Sequence, residues 1–326
     1  MADTASQPGR AEAVDISVVV CTYNGGAGLR ALMDSVLGQE TGGAFTYELL
    51  VVDNNSRDQT PVIAEEYARS HPGVVRVSRE AQQGKSYALN TGVRLARGEY
   101  CFILDQDERL VDGYLRELHR TLRGHPDAAF VGGRVLPERG IELPAWLSRD
   151  HWSAIAMCDY GGQGFYTDAQ RNLCLLAGTF RKTDVEAVGG YIAALGIRPG
   201  WIGSVEDADL YSRLYRSGRK GYYTPGLELR HDIDAGRLEK AYHRRWHFGH
   251  GRYFSLMREP DFERSSRRIL DLPCHVFRQG AASLTGWLAA TLAGRTADAF
   301  THELRVRFFA GYVYQRVCRP SEGAVS

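Results

Sequence analysis

Three short runs of consecutive apolar residues set the strongest limit on how this chain can fold: 16–21 (ISVVVC), 49–52 (LLVV) and 100–104 (YCFIL). A strand that is apolar on both faces has to be covered on both faces, which is the condition of a parallel sheet between two layers of helices. The intervening residues supply those helices. Leu29, Leu32, Met33, Val36 and Leu37 fall at i, i+3, i+4, i+7 and i+8, one face of a helix. Asp58 as a cap, with Pro61 near the first turn, opens another. Residues 74–77 read as a short strand and 86–96 as a helix. The alternation predicts an α/β chain with a mostly parallel, doubly wound sheet. Ligands of such sheets bind beyond the carboxyl ends of the strands. Three of those ends carry polar clusters: Thr22-Tyr23-Asn24, Asp53-Asn54 and Asp105-Gln106-Asp107.

At 326 residues the chain is long enough for two domains of about 150 residues each. Its 40 Lys and Arg balance 39 Asp and Glu, which argues against a chain built to coat nucleic acid. The six cysteines are scattered without a C-x-x-C pair, as suits a reduced, cytosolic protein. Residues 1–13 are polar and lack the apolar core of a signal peptide, and no apolar run is long enough to span a bilayer. Residues 112–232 read as irregular α+β. The stretch 237–268 is basic, with nine Lys or Arg (Arg237 to Arg268) against Glu239, Glu259, Asp261 and Glu263. Beyond it, 276–293 and 300–317 read as amphipathic helices.

Two motifs mislead. Gly84-Lys85-Ser86 ends like a phosphate-binding P-loop, but Arg79 stands where that motif needs glycine. Gly26-x-Gly28-x-x-Ala31 matches a loose dinucleotide fingerprint with Asp53 downstream, yet four residues separate the strand from the first glycine. Asp105-Gln106-Asp107 carries more chemistry. Two carboxylates at the end of a buried strand need positive compensation, and a hard divalent cation bridging phosphate oxygens supplies it. The competing reading is a solvated loop cap. Glu206, Asp207 and Asp209 open an apparent helix, where the dipole favours acidic residues anyway. A Glu-Asp pair facing a cleft also has the makings of a general base and an orienting neighbour. His231 ends a strand-like piece and suits either structure or a third metal ligand. His243, His247 and His250 share a helix but lack a partner carboxylate or cysteine for zinc.

Taken together, residues 16–24, the segment Val51-Val52-Asp53-Asn54-Asn55-Ser56-x-Asp58, Gly84-Lys85-Ser86-x-Ala88-x-Asn90-x-Gly92, Gly98 to Asp107 and Glu206-Asp207-x-Asp209-Leu210 resemble the family 2 glycosyltransferases in order and spacing across residues 15–232. The resemblance implies a GT-A fold, a Rossmann-like mostly parallel sheet with flanking helices, followed by a C-terminal helical extension. It implies a nucleotide-sugar site made by Thr22, Tyr23, Asn24, Asp53, Asn54, Lys85, Asp105 and Gln106. Tyr23 and Asp53-Asn54 would meet base and ribose, and Lys85 the diphosphate. Asp107, with Asp105 and His231, would hold Mn²⁺ or Mg²⁺, while Asp207 would be the catalytic base and Glu206 would orient sugar hydroxyls. The family more often has a second Asp where this chain has Asn54. The resemblance favours a UDP-sugar, while Asn54, whose amide can serve another base, leaves dTDP- and GDP-sugars open.

The expected activity is metal-dependent, inverting hexosyl transfer to a hydroxyl of a glycan, lipid-linked or small-molecule acceptor. The expected organisation is a tail over 1–13, a transferase domain over 14–232 (nucleotide half 14–108, acceptor half 109–232) and a helical extension over 233–326. That extension would close over the donor site or rest on the inner face of the cytoplasmic membrane, and packing of its apolar faces on the transferase domain is the alternative. Acceptor specificity would lie in 137–204, Pro144-Ala145-Trp146 and Trp201 included. An NAD(P)-dependent oxidoreductase using the Gly26/Gly28 loop and a non-catalytic nucleotide-sugar-binding protein stand as alternatives.

Overall fold

The computed structural model describes residues 14–197 and 200–319. The expected tail over 1–13 lies outside them. Strands β1 (Ile16–Thr22), β2 (Tyr47–Asp53), β3 (Val75–Arg79) and β4 (Tyr100–Asp105) alternate with helices α1 (Gly26–Leu37), α2 (Thr60–Ser70) and α3 (Lys85–Leu95). They pair in parallel in the order β3-β2-β1-β4. Val18, Val19, Val20, Leu49, Val51, Phe102 and Leu104 are fully buried, as strands covered on both faces require. Register does the functional work here: Thr22 lies beside Asp53, and Cys21 beside Asp105, so three polar strand ends share one edge. Helix α3 lies close on β1 because Gly92 has no side chain; a Cβ there would stand 2.3 Å from a methyl of Val19. This seating brings Lys85, the first residue of α3, to the same edge.

The rest of the sheet is mixed. After β5 (Glu108–Leu110) and α4 (Tyr114–Gly124) come β6 (Ala128–Pro137), β7 (Phe165–Thr167), β8 (Thr179–Arg181), α5 (Lys182–Ala187), α6 (Glu206–Arg216) and β9 (Lys220–His231). Strand β8 inserts antiparallel between β4 and β6, β9 runs parallel to β6, and β5 and β7 pair antiparallel with β9. One local expectation is corrected. Asp58 precedes the helix by one residue more than a cap should; its carboxylate instead accepts from Thr60 N at 3.0 Å and from Gly26 N at 3.2 Å, tying two helix starts together.

The C-terminal part is helical: α7 (Lys240–Met257), the short α8 (Pro260–Glu263), a hairpin of β10 (Arg268–Ile269) and β11 (Leu272–Pro273), then α9 (Cys274–Leu292) and α10 (Thr296–Cys318). Helix α7 lies directly on the loop before α6, where a Cβ on Gly249 would stand 1.9 Å from the carbonyl oxygen of Ile202. Helix α9 leaves Phe277, Leu284, Leu288 and Leu292 exposed along one stripe. Among the described residues no helix is long and apolar enough to cross a membrane.

The three histidines of α7 form no metal cage; no cluster of three His, Cys, Asp or Glu suited to a metal occurs among the described residues. Burial instead holds them neutral, His243 and His250 down to about 4 and His247 to about 3, against an ordinary 6.5. Below pH 6.5 the unfolded chain therefore binds protons that the folded chain does not, and stability falls with pH. We expect the melting temperature to drop steadily from pH 6.5 towards pH 4. A profile flat across that window would show that these rings are solvated.

Candidate active site

Lys85 is the centre of the site. It starts α3 immediately after Gly84, whose φ of +143° only glycine adopts readily. The turn ahead of it is held by Asn54. The Asn54 amide nitrogen donates to the carbonyls of Glu80 (3.2 Å) and Gln82 (2.6 Å), and its Oδ1 accepts from Gly84 N (2.8 Å) and Gln83 Nε2 (3.3 Å). Lys85 Nζ then reaches both oxygens of Asp105, at 2.8 and 2.9 Å. Burial works against its charge, but Asp105, Asp207 and Glu206 outweigh it and raise the ammonium well above its ordinary value.

The second acidic group follows from strand pairing. Strand β5 sets Glu108 opposite His231 on β9, and Asp232 N donates to the Asp107 carbonyl at 2.8 Å. Asp107 Oδ2 consequently lies 3.1 Å from His231 Nε2 and 3.6 Å from the Arg237 guanidinium. Burial pushes the Asp107 carboxyl up, but the His231 hydrogen bond and the charges of His231 and Arg237 prevail and hold it below the usual range. Glu108 behaves oppositely. Burial and the Asp105 charge raise it well above the ordinary value, and Oε2 accepts from Asp105 N at 2.9 Å.

A carboxylate and an imidazole that converge, with the His231 Nδ1 unpartnered behind them, fit a divalent cation that completes its shell on phosphate oxygens. Asp105 is held by Lys85 and does not complete a three-ligand cluster with them among the described residues.

Glu206 and Asp207 occupy the first turn of α6. Burial, then the Asp207 charge, lifts Glu206 to about 7; burial also raises Asp207, against the pull of Lys85. Glu206 Oε2 has no hydrogen-bond partner among the described residues. Asp209, in the same turn, is taken up by Arg213 at 2.6 Å and belongs to the helix rather than the site.

These groups meet in one cavity of about 620 Å³, whose wall holds Lys85, Asp105, Asp107, His231, Glu206 and Asp207. Thr22, Tyr23, Asn24, Asp53, Asn54 and Gln106 are not in that wall. They form the adjoining strand edge, where Thr22 Oγ1 and Tyr23 N both donate to Gln106 Oε1 (2.7 and 3.3 Å) and Ser56 N donates to Asp53 Oδ1 (3.1 Å). Asn24 is engaged with Ser56 and Arg57, whereas the Tyr23 ring is 47% exposed. Glu108, Tyr191, Arg237, Tyr242, Trp246 and His250 also line the cavity; in sequence Tyr191 falls only within the broad span 137–204 and the last four only within an extension expected to close over the donor site, and none of them is marked there as a sugar-nucleotide contact. The third consecutive polar position after Asp105 could have flagged Glu108; the others are brought in by tertiary packing alone. Trp201 lines the cavity, but Trp146 packs edge-on against His243 and Phe300 instead.

The false motifs also find physical explanations. The amides opening α1 are capped internally, Gly25 N by Thr60 Oγ1 (2.9 Å) and Gly26 N by Asp58, rather than presented to a pyrophosphate.

A mostly parallel sheet with helices on both faces, and carboxylates gathered at its carboxyl edge, define a GT-A glycosyltransferase. The chain belongs to glycosyl transferase family 2, whose model matches residues 17–180. It is similar to a glucosyl-dolichyl phosphate glucuronosyltransferase of Haloferax volcanii, 25% identical over 230 residues that cover 69% of this chain and 71% of that one. It is 28% identical to the poly(ribitol-phosphate) β-N-acetylglucosaminyltransferase TarP of Staphylococcus aureus over 40% of this chain and 39% of that one, so the chain spans well under half of that relative. In fold it is similar to the mannosyltransferase PcManGT from Pyrobaculum calidifontis in complex with GDP-Man and Mn²⁺, with a TM-score of 0.61, 19% identity and coverage of 93% and 87%. It is also similar in fold to S. aureus TarS 1–349 in complex with UDP, with a TM-score of 0.54, 15% identity and coverage of 93% and 92%.

The Asn54 network yields a direct test. Asn54→Asp removes both donors and sets a carboxylate against two carbonyl oxygens, so the variant should lose about 2 kcal/mol or more in chemical unfolding. A loss under about 0.5 kcal/mol, the range of an ordinary surface change, would show that Asn54 does not hold this turn.

Proposed function

We propose that this family 2 glycosyltransferase moves a hexosyl group from a nucleotide sugar to an acceptor hydroxyl with inversion, dependent on a divalent metal, with Asp207 as general base. The observation that carries the reading is the Lys85 ammonium bound to Asp105 and facing the raised carboxyls of Glu206 and Asp207 in one cavity. Raised proton affinity makes a carboxylate a better base at neutral pH. In this scheme Asp207 takes the acceptor proton while the acceptor oxygen attacks the anomeric carbon opposite the leaving diphosphate, which inverts that centre. Glu206 orients sugar hydroxyls. Lys85 meets the charge that develops on the diphosphate. Bound Mn²⁺ or Mg²⁺, held by Asp107 and His231 with Asp105 beside them, supplies further neutralisation of that charge.

Thr22, Tyr23, Asn24, Asp53 and Gln106, at the strand edge beside the cavity, are assigned to base and ribose. The Asn54 amide is spent on the turn before Lys85, so base choice falls to its neighbours. UDP remains the favoured base; TarS with UDP and PcManGT with GDP-Man support a nucleoside diphosphate of either kind. In this reading residues 14–108 bind the donor, 109–232 shape the acceptor side and 233–326 form an extension that also walls the cavity. A dolichyl-phosphate-linked relative and a poly(ribitol-phosphate) relative favour a lipid-linked or envelope-polymer acceptor. The stripe of Phe277, Leu284, Leu288 and Leu292 on a helix whose one charged residue is Arg278 supports peripheral contact with the inner face of the cytoplasmic membrane.

Asp207→Asn should lower kcat by about 10²–10⁴-fold with donor affinity retained. Retention of more than roughly a tenth of wild-type kcat, a barrier change under about 1.4 kcal/mol, would move the base elsewhere. For the membrane contact, the full chain should float with vesicles containing anionic lipid at low salt, and Leu288→Glu with Leu292→Glu should abolish it. Absence of wild-type flotation would refute the contact.

A further inference from the structure

Buried polar groups in proteins are nearly always hydrogen-bonded, so a cluster left without partners around one cavity needs an explanation. The wall between α6 and α7 carries such a cluster. Tyr191 is 3% exposed and Glu206 1% exposed, and neither the Tyr191 hydroxyl nor Glu206 Oε2 has a partner among the described residues; His250 Nδ1 is likewise unpartnered. All three residues line the cavity. Their backbones are fixed. Asn90 grips Tyr191 with both ends of its amide, donating to the Tyr191 carbonyl and accepting from its N–H, each at 2.8 Å. The His250 ring is hydrogen-bonded to the backbone of Ser204, stacks on Trp246 at 4.5 Å and 11°, and rides on the helix pressed against Ile202.

We propose that Tyr191, Glu206 and His250 form a subsite for an uncharged pyranose ring, with Tyr191 and His250 reading its hydroxyls. A sugar hydroxyl both donates and accepts, so it suits a phenol, a carboxylate oxygen and an imidazole nitrogen alike. Trp246 and Trp201 stand in the same wall; His250 stacks on one face of Trp246 and Arg252 on one face of Trp201, so the C–H side of a sugar ring would meet their opposite faces. Charge sets the class of sugar. Among the described residues the lining holds Lys85, Arg237 and the His231 imidazole against five carboxyls: Asp105, Asp107, Glu108, Glu206 and Asp207. Lys85 is bound to Asp105, and Arg237 lies by Asp107. A uronic acid carboxylate would bring a further anion beside Asp207 while Lys85, Arg237 and His231 are each already engaged by a carboxylate, so the ring is a neutral hexose or N-acetylhexosamine. This differs from the sugar named for the Haloferax relative. The inference rests on the nucleotide-sugar reading above.

The ring can belong to the donor or to the acceptor, and calorimetry separates the two. Wild type, Tyr191→Phe, His250→Ala and His250→Asn are titrated in Mn²⁺ with UDP and GDP, then with UDP-glucose, UDP-N-acetylglucosamine, UDP-glucuronate and GDP-mannose. Nucleotide-loaded protein is then titrated with methyl glucopyranoside, methyl mannopyranoside and methyl N-acetylglucosaminide. Tighter binding of one neutral nucleotide sugar than of its bare nucleotide, reduced about tenfold in Tyr191→Phe while bare-nucleotide affinity stays unchanged, supports the subsite on the donor. The same loss seen only with a pyranoside supports it on the acceptor, and partial recovery in His250→Asn over His250→Ala supports the hydrogen-bonding role of His250. The subsite is overturned if UDP-glucuronate binds tightest, if no probe shows a sugar-dependent gain over bare nucleotide, or if Tyr191→Phe and His250→Ala match wild type on every sugar. Failure of wild type to bind any nucleotide would overturn the nucleotide-sugar reading itself and this inference with it.

Discussion

One partly buried ammonium compensates the acidic end of this molecule. Lys85 binds both oxygens of Asp105 and feels the charges of Asp207 and Glu206, three carboxylates drawn from β4 and α6 and separated from Lys85 by as much as 122 positions in sequence (207 − 85). Desolvated carboxylates without a counter-charge are strongly destabilising, and removing one partner from such a group costs more than the pair contributed. The position of Lys85 is therefore the condition on which the others depend. Much of the surrounding structure serves it: the Asn54 turn, the φ of Gly84, and the close seating of α3 on β1 at Gly92.

Around that ammonium the carboxyls are pushed apart in proton affinity. Asp107, beside His231 and Arg237, is held ionised, while Glu206 and Asp207, buried with less compensation, are held more basic. Two carboxyl environments of opposite tendency in one cavity are the condition on which the proposed division into a cation-binding and a proton-accepting role rests. The division has a topological cause. Asp107 lies where β5 meets β9, so strand register brings His231 opposite its neighbour Glu108 and within reach of Asp107; the Glu206–Asp207 pair lies at a helix start, where backbone dipoles favour the anion and, among the described residues, Lys85 is the cation that acts on it.

The sheet was readable from sequence because its signal is local. Runs such as ISVVVC admit few structures, and the helix face at Leu29 to Val36 has an unambiguous period. The family resemblance likewise rests on short segments at strand and helix ends. What escaped was everything decided by contacts between distant segments. Asn54 was expected at the base, yet an amide has two donors and two acceptor lone pairs, and the carbonyls of Glu80 and Gln82 with the N–H of Gly84 engage both ends. Nothing in the local sequence announces that. Tyr191 is equally silent, since its place is set by Asn90, 101 residues earlier.

The C-terminal helices illustrate the same limit with a functional consequence. Their basic, aromatic sequence reads as a lid or a membrane-facing appendage, and α9 keeps an exposed stripe suited to the second role. Helix α7 packs against the rest of the chain and closes one side of the cavity. It contributes Tyr242, Trp246 and His250 to the cavity, along with Arg237 just before it, and its backbone contacts the loop that leads into Glu206. A wall that also abuts the loop leading into the helix of the proposed base cannot shift without disturbing both the cavity and the approach to Asp207. In this chain the extension is therefore part of the site, and its buried neutral histidines tie the order of that wall to pH.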